Sequence, residues 1–427
     1  MKPTFYERIG ESVHREVLPN GLQVCVVPKP GYAKQYAFFA TRYGGMDTRF
    51  CLDGRWLDTP AGIAHYLEHK MFDLPGHDVY PEFAAMGASA NAFTSHDLTA
   101  YYFTTTHHFA DCLRLLLTFV STPYFTEETV EKEREIIGQE IDSNLDYPDS
   151  VSFDSLMEEM YRNHPLHVPI LGTRETIAEI TPEWLHLCHE AFYAPANMVL
   201  CVVGDVDPES VLALALEVLG EERKEVGEKL PFPAEPADCP FGPRHIPMDV
   251  AMPMFQMGFK LPAPKDGPEA IRLEILGDLA TEALFGESSR LYLRLYEAGI
   301  IDSSFGGGCE SVDGAAMVLC SGDSRQAEQI REDILAENQR LCREGIPEEA
   351  FLRIRRSALG RRIRDLDSFE GTCYRLCAYA LSDYDYFNFP ELYASLTEED
   401  LRKFLEDSIR RDNCSMTILD PIDKEEP

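Results

Sequence analysis

Residues 65–69 read His-Tyr-Leu-Glu-His. Positions four apart on a helix stand one turn above each other on the same face, so His65 and His69 point the same way. Two imidazoles so placed can bind a single zinc at about 2.0–2.1 Å each. Glu68, next to the second histidine, is placed to take a proton from a metal-bound water. The chemistry implied is metal-assisted hydrolysis. The same five residues would also suit a plain helix in which the histidines are satisfied by hydrogen bonds and Glu68 pairs with Lys70. The rest of the chain has to decide between the two.

Thr59-Pro60 reads as an N-cap followed by proline at the first helical position, and Ile63, Ala64, Leu67, Met71 and Phe72 supply an apolar stripe. A catalytic zinc needs a third protein ligand and one open position. The run from Glu127 to Glu140 is an acidic helix candidate in which Glu133 and Glu140 lie seven apart, two turns along one face. One of them can ligate the metal while the other hydrogen-bonds a ligating histidine, fixing its tautomer. An ordinary solvated acidic face is the competing reading. Asn91-Ala92-Phe93-Thr94 reads as an extended segment, and Thr99, Tyr101 and Phe103 alternate as a returning strand would.

Many further landmarks occur in one order: Asn20-Gly21-Leu22, Gly44-Gly45-Met46-Asp47, Thr59-Pro60-Ala61-Gly62, Asn91-Ala92-Phe93-Thr94-Ser95, Glu133-Arg134-Glu135-Ile136-Ile137, His164-Pro165-Leu166, Gly172-Thr173, Tyr193-Ala194-Pro195-Ala196-Asn197-Met198 and Gly204-Asp205-Val206. With them the chain resembles the pitrilysin/insulysin family of inverzincin metallopeptidases, which includes the mitochondrial processing peptidases and half-length bacterial members of the YmfH type. The resemblance implies one zinc per chain held by His65, His69 and Glu140. It implies Glu68 as catalytic base and Glu133 as supporting carboxylate, with Glu135 and Asp142 the competitors should the register slip. It makes the Asn91-Ala92-Phe93 strand a sheet edge that a peptide substrate joins, gaining main-chain hydrogen bonds with little demand on sequence. Asn91 and Ala92 are then backbone contacts and Phe93 an apolar subsite wall, although a core phenylalanine in a hairpin fits Phe93 equally well.

In the second half, Ser288-Ser289-Arg290-Leu291-Tyr292 is similar to the family segment carrying an arginine and a tyrosine that reach substrate. Arg290 matches the arginine. The tyrosine position falls at Asp302 or Ser303, so oxyanion stabilisation by that tyrosine is not expected from this chain. The resemblance therefore implies a dimer, either a homodimer or a heterodimer with a homologous subunit that supplies the missing contact.

At 427 residues with 44% hydrophobic content, the chain is long enough for two or three domains. The stretch 223–245 carries Pro231, Pro233, Pro236, Pro240 and Pro243 and reads as a linker. The expected organisation is an N-terminal catalytic zinc-binding domain at 1–222 and a C-terminal substrate-enclosing domain at 246–427. Strands at Leu22 to Val27, Val199 to Val203, Met254 to Phe259 and Ser415 to Leu419 surround helical segments such as Pro268 to Phe285 and Pro347 to Asp365. The fold class is α+β: two structurally similar domains, each a mainly antiparallel sheet packed with helices, as in processing peptidases. All twelve histidines fall at or before His245, so the C-terminal half has no imidazole-based metal site.

The formal charge of −34 is unsuited to nucleic acid and anionic lipid; it would steer cationic peptides or serve only solubility. Arg353, Arg355, Arg356, Arg361, Arg362 and Arg364 read as salt-bridging structure on a helix. The N-terminus carries no signal-peptide apolar region and no stretch approaches the ~20 apolar residues of a membrane helix, so a cytoplasmic location is expected. The twelve cysteines read as reduced, mostly buried thiols without a catalytic role. The function expected is zinc-dependent endopeptidase activity in an enclosed chamber, through a zinc-bound water and the Glu68 base; the alternative is a non-catalytic scaffold or assembly subunit.

Overall fold

The computed structural model describes residues 1–422. Two sheets organise them. The strands of the first are β1 (Lys2–Tyr6), β2 (Glu11–Val17), β3 (Gln23–Pro28), β4 (Gln35–Thr41), β5 (Ser89–Thr94), β6 (Thr99–Thr105) and β7 (Met198–Gly204). The second holds β8 (Arg244–Met248), β9 (Met254–Leu261), β10 (Gly306–Val312), β11 (Ala315–Asp323) and β12 (Cys414–Pro421). The helices that bear on the site or on the division of the chain are α1 (Ile63–Lys70), α2 (Glu127–Leu145), α3 (Pro148–Met160), α4 (Gly267–Phe285), α5 (Arg290–Glu297), α6 (Glu348–Arg364) and α7 (Phe369–Leu381).

The first sheet runs β1-β2-β3-β7-β4-β6-β5 and the second β8-β12-β9-β11-β10. In each, one pair is parallel, β3 with β7 and β8 with β12, and the others are antiparallel. Counted in chain order, the five strands from β3 to β5 are arranged 1-5-2-4-3, and those of the second sheet are arranged identically. The two halves thus share a topology without sharing a visible sequence repeat. This is the α+β pair of similar mainly antiparallel domains that the sequence led us to expect.

The compact units are not consecutive in the chain. One comprises Met1–Ile141, Pro169–Leu230 and Ile363–Asn388; the other comprises Asp142–Val168, Pro231–Arg362 and residues 389–422. The change of sheet near 230 falls within the proline-rich stretch, but a division into 1–222 and 246–427 omits two exchanged helices. α3, from the N-terminal half, packs on β9 and β12, while α7, from the C-terminal half, packs on β4 and β7. An apolar sheet face has to be covered, and each half sends out the helix that covers the other's. The stretch 223–245 is also not wholly irregular: Glu228–Lys229 pairs with Phe50 and Cys51, and β8 begins at Arg244.

β7 explains the central apolar runs. All seven of its residues are buried, because α7 lies on one face and the main core of the unit on the other. The thiol of Cys373 lies 3.7 Å from the Cys201 carbonyl, whereas Leu200 and Val202 join a core that includes Ile63, Ala64 and Leu67 of α1. A strand covered on both faces reads as a continuous hydrophobic run instead of alternating. The twelve cysteines are free thiols, nine of them buried. Among the described residues, no helix is long and apolar enough to cross a membrane.

Candidate metal centre

α1 begins later than the sequence suggests. Thr59 does not cap it; the Thr59 hydroxyl donates to the Thr48 carbonyl, and the helix starts at Ile63 after Gly62. Gly62 has φ +90°, and a Cβ there would stand 2.4 Å from the Leu171 carbonyl oxygen. Gly172 has φ +69°, with the Ala61 carbonyl oxygen 2.5 Å from its own notional Cβ. Two backbones that approach this closely in left-handed conformations admit only glycine. This contact sets where α1 enters the core and accounts for both Gly62 and Gly172 among the landmarks.

The core side of α1 holds Ile63, Ala64, Tyr66 and Leu67, each at most 2% exposed. The Tyr66 hydroxyl donates to the carbonyl of Val130 on α2 and ties the two helices together. Lys70 is buried and pairs with Asp73. It is therefore Asp73, and not Glu68, that takes the nearest cation.

The register of α1 and α2 brings the predicted ligand atoms together. His65 Nε2 lies 3.7 Å from Glu140 Oε1, and His69 Nε2 lies 3.6 Å from Glu140 Oε2. Ligand atoms of His65, His69 and Glu140 are all within 4.8 Å of one another, and among the described residues they form the one such group of His, Cys, Asp or Glu side chains. Separations of 3.6–3.7 Å are too long for hydrogen bonds and suit donors arranged around a cation. The buried Nδ1 of His65 has no hydrogen-bond partner, so hydrogen bonding does not account for this imidazole. Two neutral-imidazole donors and a carboxylate are a set that zinc accepts. Glu135 is exposed on the other side of the α2 register and does not join the group.

The electrostatics divide the two histidines. Burial, with help from His69, pushes His65 down to about 3 and keeps it neutral. For His69, burial is outweighed by the hydrogen bond that Nδ1–H donates to Glu133 and by the charges of Glu68, Glu133 and Glu140, and its pKa is raised. Glu133 Oε1 lies 3.0 Å from His69 Nδ1. Burial raises Glu68 to about 7, against the opposing hydrogen bond from Thr94 and the charge of His69. A carboxylate in this range at neutral pH is suited to exchanging protons.

The other predicted residues fall in two places. β5, with Asn91, Ala92 and Phe93, is an edge strand paired with β6 on one side. Asn91 is exposed and its Oδ1 accepts the Ala92 N–H at 2.9 Å, so that main-chain donor is held by the neighbouring side chain. The Phe93 ring packs against Phe38, Tyr102 and Tyr374, on the sheet face opposite to that of Thr94 and Glu68. Arg290 lies in the other unit, exposed at the first position of α5. Asp302 accepts hydrogen bonds from Ser304 N–H and Oγ–H, a local turn in place of a tyrosine. Of the arginine-rich helix α6, Arg362 binds Glu274 and Asp278 at 2.6 Å each and Arg361 binds Glu282 at 2.9 Å, which makes this part of the cluster structural.

One contact of Glu68 lies beyond what the sequence pattern carries. Thr94 Oγ donates to Glu68 Oε2 at 2.8 Å. Its place at the end of the Asn-Ala-Phe strand was visible in the sequence, but its reach to Glu68 depends on how β5 crosses α1.

Residues 54–174 match the insulinase domain of peptidase family M16, and residues 179–358 match the M16 inactive domain. A Bacillus subtilis protein described as an uncharacterized zinc protease, YmfH, is 38% identical over 99% of both chains. A Rickettsia felis protein, also described as an uncharacterized zinc protease, is 30% identical over 55% of this chain and 57% of its own. Among solved structures, an M16-like peptidase from Alicyclobacillus acidocaldarius has a TM-score of 0.92 at 33% identity, covering 96% of this chain and 99% of its own. A protease from Helicobacter pylori shares the fold at a TM-score of 0.80 and 22% identity, covering 96% of this chain and 99% of its own.

Proposed function

Since the chain belongs to the insulinase family of peptidases, M16, we propose that it is a zinc endopeptidase that hydrolyses peptides in an enclosed chamber. The observation that carries this reading is the meeting of His65, His69 and Glu140 within 4.8 Å, beside a buried Glu68. Zinc bound by these three would act as a Lewis acid on the scissile carbonyl and make water a usable nucleophile near neutral pH.

The chain's own groups do the rest. Glu68, with Oε2 engaged by Thr94, takes the proton of the attacking water at Oε1 and delivers it to the departing amine. Glu133 holds the His69 ring through Nδ1, which leaves Nε2 as the free lone pair. The free edge of β5 accepts the substrate main chain as an added strand, and Asn91 must release the Ala92 N–H for it to pair. We further propose a cytoplasmic dimer, of like or homologous subunits, whose partner supplies the transition-state contact that Asp302 and Ser303 do not offer.

The test compares wild type with Glu68→Gln. Both are expected to bind about one zinc per chain, and only wild type to cleave a peptide library. Equal cleavage by the two, or wild type without zinc, overturns the mechanism; wild type that binds zinc and cleaves nothing favours a scaffold subunit. Native mass spectrometry of fully active protein as monomer alone would refute the dimer.

A further inference from the structure

We infer that Thr94 is a positioning residue for the Glu68 base, so that the strand offered to the substrate also orients the group that moves the proton. This rests on the peptidase reading above and concerns how one of its parts is held.

Glu68 is 7% exposed on α1, and the hydrogen bond that fixes its carboxylate comes from another element. Thr94 is the last residue of β5, and its hydroxyl donates to Oε2 at 2.8 Å. Across the sheet Thr94 is the register partner of Thr99, whose Oγ lies 3.3 Å away. A hydroxyl has one proton to give. Thr99, fully buried, gives its own to the Tyr43 carbonyl at 2.8 Å. Thr94 can then direct its proton to the ionised carboxylate at 2.8 Å, which is shorter than the 3.3 Å to Thr99 and charge-assisted. Thr99 is thus anchored to the backbone, Thr94 is held beside it, and Oε2 is engaged while Oε1 is left for the reacting proton. Two and three residues back along β5, Ala92 and Asn91 present the sheet edge. A peptide that pairs there stiffens the strand whose end holds the base.

The experiment uses Thr94→Val, which keeps the β-branched shape and removes the hydroxyl, and Thr94→Ser, which keeps the hydroxyl. With the peptide that wild type cleaves best, T94V is expected to lose about 10–100-fold in kcat, the scale of a hydrogen bond to a charged group, at unchanged KM and unchanged zinc content. T94S is expected to stay within about threefold of wild type. Binding of that peptide by fluorescence anisotropy should be equal for E68Q and the double variant E68Q/T94V. T94V at the wild-type rate overturns the inference and leaves the peptidase reading standing. So does T94S failing as badly as T94V, which would make the methyl group and its packing the cause, and so does weakened peptide binding in the double variant. If T94V does not fold, Thr94→Ala takes its place beside T94S, with the same loss of kcat expected and a wild-type rate overturning the inference. A wild type that cleaves nothing overturns both readings together.

Discussion

Glu133 Oε1 lies 3.0 Å from Nδ1 of His69, on the opposite side of the imidazole from Glu140, whose Oε2 is 3.6 Å from Nε2. One helix therefore supplies both the group that orients the ring and the group that faces it, because seven residues are close to two full turns. Carboxylate partners of ligating histidines raise ligand basicity and fix the tautomer. Glu133→Ala is expected to weaken zinc binding about 10–100-fold, and Glu133→Gln by less, since the amide oxygen still accepts from Nδ1–H. Competition against a chelator of known affinity measures both, and an unchanged affinity in E133A would remove Glu133 from the site.

The entry of α1 into the core depends on Gly62. Gly62→Ala must keep φ near +90° and place Cβ 2.4 Å from the Leu171 carbonyl oxygen. Gly76 has φ +88° with nothing within 4 Å of its notional Cβ. Gly76→Ala is expected to cost only the left-handed backbone term of about 1–2 kcal/mol, and Gly62→Ala clearly more. Denaturant unfolding of the two variants side by side tests this, and equal losses would show that the close approach relaxes without cost.

In the second unit, Arg362 is 4% exposed and sits between Glu274 and Asp278. Removing one partner of a buried ionic cluster leaves its counter-charges uncompensated, so Arg362→Ala is expected to destabilise by about 3–5 kcal/mol. Arg353, exposed on the same helix, should change stability by no more than about 0.5 kcal/mol when replaced by alanine. Similar losses at both positions would contradict the structural reading of the arginine cluster.

Acid should act on the second unit through Glu235. Burial opposes its ionised form. The N–H groups of Arg162 and Asn163, the ammonium of Lys260 and the N–H of His164 outweigh that burial and hold the carboxyl down at about 2. The unfolded chain binds this proton near 4.5 and the folded chain only near 2. Its contribution is thus fully present above about 4.5 and is lost as pH falls from there to about 2. Glu235→Gln is expected to be less stable at neutral pH, with a shallower decline of stability across that window. A parallel decline in wild type and variant would place the acid sensitivity elsewhere.

The His65–His69 motif is legible because its spacing is local: His65, Glu68 and His69 need only a helix, and Ile63, Leu67 and Met71 declare one. The acidic helix was legible for the same reason, and the Glu133/Glu140 register followed from 3.6 residues per turn. The helix start is not legible, because Thr59-Pro60 is a sound local signal that a tertiary contact overrides. The Gly62–Leu171 approach joins residues more than a hundred positions apart, and no local pattern carries it. The exchanged helices α3 and α7 were hidden for a related reason. Their apolar faces announce that something must be covered, without saying which sheet.

The sequence by itself determined the chemistry available, the elements that carry it and, through the family landmarks, the fold. These follow from residue type and from periodicities of two and 3.6, which are properties of short stretches of backbone. The tertiary structure alone decided which charges meet. It aimed both Nε2 atoms at Glu140 and laid the end of β5 against α1 so that Thr94 could donate to Glu68. Hydrogen bonds and ion pairs depend on ångström-scale distances between groups remote in the chain, and only close packing of the core sets those distances.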